Sequence, residues 1–368
     1  MKKIIGLGIL LGIITVVFLL VFSDTVIRIG IVGEFSNSTS TASMDTFKAV
    51  ELAINEIDPE AKKYMIKRYD ISILSQPGQL QNKIEHDGIH LLIGPSTSSH
   101  FLEIESELSM IDLPVFLPTV STEEAHNKVD NFFGIAGSSY DQSLCIARVI
   151  RDDTYGEKTL ILYTSQNIGF SENLAGILKF HIQTEKAGKV TDMIEIGNVM
   201  DAKTQEIFNT KFDTDRIVIV APPGNAGNIA QLAALKNPLT PIYFSEWSKS
   251  DTTLEYVNGL ENPLYFFSPP PEKDLIRVNQ FERSIEDIKK ANYNTFSKSS
   301  FELMYLVDWV MTNERPQKLS DFQNIIHNMK SYEGVFNDYE FNAYGDGKRG
   351  FALYKVVDNS FEHIGGCE

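Results

Sequence analysis

The sequence predicts an α/β fold with parallel sheets, divided into two units. Short apolar runs alternate with stretches whose apolar residues recur at helical spacing, the pattern of strand–helix–strand units. The alternation is interrupted twice, by a segment rich in Glu, Asn and Asp from Glu123 to Asn131 and by Pro269-Pro270-Pro271. Three prolines favour a stiff, extended connector. At 368 residues the chain is long enough for two domains.

Val26 to Val32 reads as the first strand. A loop of small and hydroxyl residues, Gly33 to Ser43, leads into a helix with Met44, Phe47, Val50, Ile54 and Ile57 on one stripe. Tyr69 to Leu74 reads as a strand and Gln79 to Glu85 as a helix stopped near Gly88. The stretch from Leu91 to Thr122 organises the rest. Leu91–Ile93 is a short buried strand, and Gly94-Pro95 ends it. Ser96, Thr97, Ser98 and Ser99 follow, one of them a cap for a helix carrying Phe101, Ile104, Leu108 and Ile111 on one face. Leu113–Leu117 is the next strand, and Thr119, Ser121 and Thr122 repeat the hydroxyl cluster. Ligands of open parallel sheets bind beyond the carboxyl ends of the strands. Two hydroxyl-bearing strand ends, one opening a helix, suit a small anion.

The second unit reads as strands at Phe132–Ile135, Lys158–Thr164, Val190–Ile196, Asp215–Ala221, Ile242–Phe244 and Leu264–Phe267. Helices lie between them. Three helical stretches follow the prolines, and the tail from Tyr339 reads as a hairpin turning at Gly345-Asp346-Gly347 and returning over Phe351–Val357.

A formal charge of −16 argues against a nucleic-acid backbone as partner. The two cysteines, Cys145 and Cys367, lie far apart, and their pairing stays open. Lys2 and Lys3 precede an uncharged run from Ile4 to Phe22. A basic start and an apolar run fit an export signal. The run exceeds the usual ~7–15 residues and approaches the ~20 of a membrane span. Residues 1–25 are thus expected to be a signal peptide or a retained membrane anchor, with a weak cleavage site at Val21-Phe22-Ser23.

No residue pattern points to catalysis or to a cofactor. Gly345 to Gly350 satisfies G-x-G-x-x-G literally, but a strand follows where a helix N-terminus is required, so it is a turn. His86 and His90 are four apart across Gly88, and no metal-like spacing is present. Glu246, at a strand exit before Trp247, is placed to hold an ammonium group.

These residues resemble the type I periplasmic binding proteins of the branched-chain amino acid class, the substrate-binding components of ABC importers. IRIGIVGEFS with AVELAINEID is similar to that family's first strand, loop and helix. LLIGPSTSS and LPVFLPTVST resemble its two ligand-binding strand ends, FNAYGDGKRGFALYKVVDN its late hairpin, and SFELMYLVDW a helix whose start usually reads Tyr-Asp. The resemblance covers nearly everything after Asp24. It implies two Rossmann-like lobes joined by three crossings near Ser121, Pro269 and Gly334. The first lobe would be residues 26–121 and 269–333, and the second 122–268 and 334–368.

The resemblance also implies a ligand carboxylate held by Ser98, Thr119 and Ser121, and an ammonium held by Glu246. Ile168 stands where a tyrosine is usual, and Pro222-Pro223 replaces another. Tyr140 or Trp247 is the expected substitute. The chain is thus expected to be an exported, non-enzymatic solute-binding protein without cofactor or metal. It would close by hinge motion on a small polar ligand, an amino acid or related amide. The expected partner is an ABC permease at the membrane; the alternative is a sensory module signalling through a membrane receptor or kinase.

Overall fold

The computed structural model describes residues 26–36, 41–74, 76–197, 204, 206, 208, 213–287 and 295–367. Its first sheet has five parallel strands in the order β2-β1-β3-β4-β5: β1 (Ile27–Gly33), β2 (Tyr64–Asp70), β3 (Leu91–Ile93), β4 (Val115–Leu117) and β5 (Phe132–Gly134). Successive side chains of a strand point to opposite faces, and both faces here are covered. Ile29, Ile31, Leu91 and Ile93 pack on one side against α1 (Ala42–Ile57). Val32, Leu92, Val115 and Leu117 pack on the other against α2 (Gln79–Asp87) and α3 (Ser98–Leu108).

The second sheet has seven strands in the order β15-β14-β10-β9-β8-β6-β7: β6 (Lys158–Thr164), β7 (Lys189–Ile196), β8 (Arg216–Val220), β9 (Ile242–Phe244), β10 (Leu264–Ser268), β14 (Ala352–Val357) and β15 (Ser360–Gly366). Strands β6 to β10 pair in parallel, and β14 and β15 extend the sheet antiparallel. Ile161, Tyr163, Val218 and Val220 face α4 (Ser139–Asp152) and α5 (Ile168–Thr184). Leu160, Leu162, Ile217 and Ile219 face α6 (Pro223–Lys236) and α7 (Asp251–Val257). Each sheet is thus the middle layer of its own lobe.

After β10 the chain returns to the first lobe. Helices α8 (Leu275–Asp287), α9 (Thr295–Asn313) and α10 (Leu319–Asn328) bury Phe281, Phe301, Val307 and Ile326 in its core. A small sheet of β11 (Ser331–Glu333), β12 (Asp338–Phe341) and β13 (Gly347–Lys348) follows.

Five expectations need correction. The second strand is β2, Tyr64–Asp70, and not Tyr69–Leu74; the Asp70 carboxylate accepts from the Ser72 N–H at 3.1 Å and turns Ile71–Ile73 into a 3₁₀ turn. The crossing expected near Ser121 lies later, because β5 pairs with β4. The Glu123–Asn131 segment is no free linker: the Asn131 side-chain amide lies 3.0–3.1 Å from the carbonyls of Leu108, Ile111 and Leu113.

The crossing expected near Gly334 also lies later. Phe336 and Tyr339 are buried in the first core, and the Asn127 N–H donates to Asp346 at 2.7 Å, so the chain leaves the first lobe only after Lys348. Finally, the tail forms two hairpins. β12 and β13 turn at Gly345, and β14 and β15 turn at Asp358-Asn359, both with positive φ (47° and 57°) as a type I′ turn requires.

Cys145 of α4 and Cys367, beyond β15, form a disulfide with Cα atoms 5.2 Å apart. Among the described residues no helix is long and apolar enough to cross a membrane. The apolar run from Ile4 to Phe22 lies outside the described residues.

Candidate functional site

The site begins with the turn after β3. Gly94 has φ +96°, and a Cβ there would sit 2.3 Å from the Val32 carbonyl oxygen, so only glycine lets the turn pass this close to β1. The turn delivers the chain to α3, whose N-terminus Thr97 caps by accepting the His100 N–H at 3.2 Å. Ser98 is 1% exposed, and its Oγ accepts from the Ser121 N–H at a long 3.4 Å. Thr119 donates its hydroxyl to the Ser96 carbonyl. Ser121 is buried, with its Oγ 3.5 Å from that of Ser139. The three predicted carboxylate-binding residues are therefore brought together at two neighbouring strand ends. Behind them the hydroxyls of Ser96, Thr46 and Ser300 form a buried chain at 2.6 and 3.0 Å, tying the β3 exit to α1 and α9.

The second lobe meets this end of the first directly. Asn167, in the left-handed region at φ +48°, turns its side chain to accept the Ser99 N–H at 3.0 Å. The Gly169 N–H donates back to Ser99 Oγ at 3.0 Å. A Cβ on Gly169 would lie 2.9 Å from Leu102 Cδ1 and from Ser99 N. The N-termini of α3 and α5 thus abut with their donors satisfied by the chain itself, as in a closed cleft.

The remaining predicted residues divide. Ile168 opens α5 and is 37% exposed. Trp247 packs edge-on against Phe170 of the same helix turn at 5.7 Å. Tyr140 turns its ring away to His181, edge-on at 4.4 Å, near the far end of α5. Glu246 is half-buried at the β9 exit, and no hydrogen bond or ion pair reaches its carboxylate among the described residues. Burial pushes its carboxyl up, and the Arg349 guanidinium opposes this.

Arg349, Lys298 and Lys249 were missed by sequence reasoning. Arg349 lies in the crossing between β13 and β14 and is 8% exposed, with its Nε buried and unpartnered. Lys298, in the first turn of α9, contacts Glu272 and lies over the Phe336 ring at 5.9 Å. Lys249 lies over the rings of Tyr354 and Phe361 at 4.3 and 4.8 Å. Burial lowers the Lys298 ammonium, and Arg349 and Lys249 lower it further. The Glu302 carboxylate acts the other way. The one available signal was Arg349 inside the Gly345–Gly350 turn, which the motif test set aside for phosphate binding and did not consider for its charge.

The arrangement suits binding. Ser143 Oγ lies 2.9 Å from His181 Nδ1, but Ser143 is fully buried, so no substrate reaches it. No cluster of metal-ligating side chains is present among the described residues.

No protein-family model matches the sequence, and no curated protein is similar to it. Solved structures are. A leucine-binding protein from Thermotoga maritima superposes with a TM-score of 0.73 at 14% identity, covering 93% of this chain and 99% of that one. A branched-chain amino acid transporter substrate-binding protein from Streptococcus pneumoniae, in complex with isoleucine, gives 0.68 at 15% identity, covering 93% and 100%. An ABC-transporter solute-binding protein from R. palustris, in complex with benzoate, gives 0.74 at 14% identity, covering 93% and 96%. The fold is that of the type I periplasmic binding proteins.

Proposed function

We propose that the protein is an exported solute-binding protein that captures a small polar ligand, an amino acid or a related amide, between two closing lobes and delivers it to the permease of an ABC importer. The observation that carries this is the junction of the lobes. Hydroxyls stand on one side, and an unpartnered carboxylate, Glu246, stands on the other. A zwitterion fits between them, with its carboxylate on Ser98, Thr119 and Ser121 and its ammonium on Glu246. Ile168 and Trp247, at the α5 end of the second lobe, are its apolar neighbours. Leucine, isoleucine and benzoate, the ligands named for the similar structures, are all carboxylic acids. A ligand that touches both lobes favours the closed state over the open one.

Export is supported by the disulfide, since such bonds persist in oxidising compartments. The apolar run is proposed to retain the protein at the membrane as well. Sequencing the mature N-terminus tests retention: an intact start is expected, and a start near Asp24 would contradict the anchor. A thermal-shift screen of amino acids, their amides and small carboxylates tests capture. At least one compound is expected to raise the melting temperature in proportion to the logarithm of its concentration above its dissociation constant. A flat screen would contradict the proposed ligand class.

A further inference from the structure

The charges at the crossings exceed what a plain zwitterion uses. Residues 269–272 touch the surroundings of three cations. The Pro269 carbonyl accepts the Tyr354 hydroxyl at 2.7 Å, and the ring of Tyr354 lies beneath the Lys249 ammonium. Pro270 lies beside Gly350, where a Cβ would be 3.7 Å from Pro270 Cγ, and Gly350 follows Arg349. Glu272 contacts Lys298. One cation comes from each lobe and one from the segment between them.

Arg349 is the least satisfied. Its Nε is buried without a partner, and such groups are costly and in native structures have a reason. Lys298 has Glu272, while Lys249 has two aromatic faces and no carboxylate in contact among the described residues. The acidic groups nearby do not answer Arg349. The Glu302 carboxylate is taken by the N–H groups of Val335 and Phe336, and burial pushes it up to about 7. Glu246 feels Arg349 but makes no contact with it.

We propose that the cleft selects an anionic ligand, one bearing a carboxylate beyond those a plain amino-acid zwitterion offers, and that this group seats on Arg349 with Lys298 and Lys249 flanking it. The proposal rests on the cleft being the ligand site. It adds a specificity determinant that reads charge: an amide of the same shape offers no negative charge to the guanidinium and leaves it buried and unpaired.

Matched pairs differing only in that group test it. The full chain, kept in mild detergent, is titrated calorimetrically with L-glutamate and L-glutamine, L-aspartate and L-asparagine, and succinate and succinamate. At least one acid is expected to bind roughly tenfold or more tighter than its amide. Arg349→Met is expected to bring the two within about twofold of each other, and Arg349→Lys to keep part of the preference. An amide bound as tightly as its acid, a preference that survives in Arg349→Met, or no binding by any of the six would overturn the assignment. The wild-type preference needs no variant, so poor folding of a substituted chain does not block the test. Small-angle scattering of the same samples separates this failure from failure of the closing cleft. Acid-selective binding without compaction refutes closure and leaves Arg349 standing; compaction by acid and amide with equal affinity refutes Arg349 alone.

Discussion

Glu246 is a half-buried carboxylate with no partner, and its carboxyl is pushed up by that burial. A ligand ammonium would supply the missing charge, and closure would strengthen the contact by excluding water. Replacing one partner of such a pair typically costs ~2–5 kcal/mol. Glu246→Gln is therefore expected to weaken an amino-acid ligand by at least roughly tenfold. Ser98→Ala is expected to weaken it less, because Thr119 and Ser121 remain. Calorimetric titration of both variants checks this, and wild-type affinity in Glu246→Gln would remove Glu246 from the ammonium role. Glu246 and the hydroxyls were legible in the sequence because strand ends of a parallel sheet face the site by construction. Arg349 was not, because only the later crossing shows that its turn lies between the lobes.

At the scale of elements, the contact between α3 and α5 decides how tightly the lobes close. Ser99 receives a hydrogen bond from Gly169 and gives one to Asn167, so two helix N-termini meet through side chains and not through bare donors. Glycine at 169 is required by space, not by φ, since its would-be Cβ lies 2.9 Å from the α3 backbone. Gly169→Val is expected to keep the lobes from closing fully, reducing the fall in radius of gyration on ligand binding and weakening every cleft ligand, with unchanged far-ultraviolet circular dichroism. Unchanged scattering would show that this contact does not limit closure. Strand and helix identities were readable from periodicity, as β8 shows with five buried residues in a row. Boundaries were not, where a side chain overrides the pattern. Asp70 cuts β2 short, and Asn131 holds its segment to the first lobe. Strand β15 was missed because five of its seven residues are exposed and only Phe361 and Gly365 are half-buried, with little apolar signal.

For the whole molecule, the chain passes between lobes three times: after Gly134, after Ser268 and after Lys348. Three passages between two lobes suit a hinge. The disulfide lies wholly within the second lobe, joining residues 222 apart in sequence, and a loop of that length typically contributes ~2–5 kcal/mol. It stabilises the lobe without restraining the hinge. The division into two α/β units was legible from the two interruptions in the pattern, but the Glu123–Asn131 interruption misplaces the first crossing because the polar composition there serves hydrogen bonding within the lobe.

The central claim is that the lobes close on a ligand held between them, and small-angle scattering of the full chain with and without a compound that raises its melting temperature tests this most directly. The account predicts a smaller radius of gyration at saturation, with a profile matching the closed arrangement described above. An unchanged radius at saturation would contradict it.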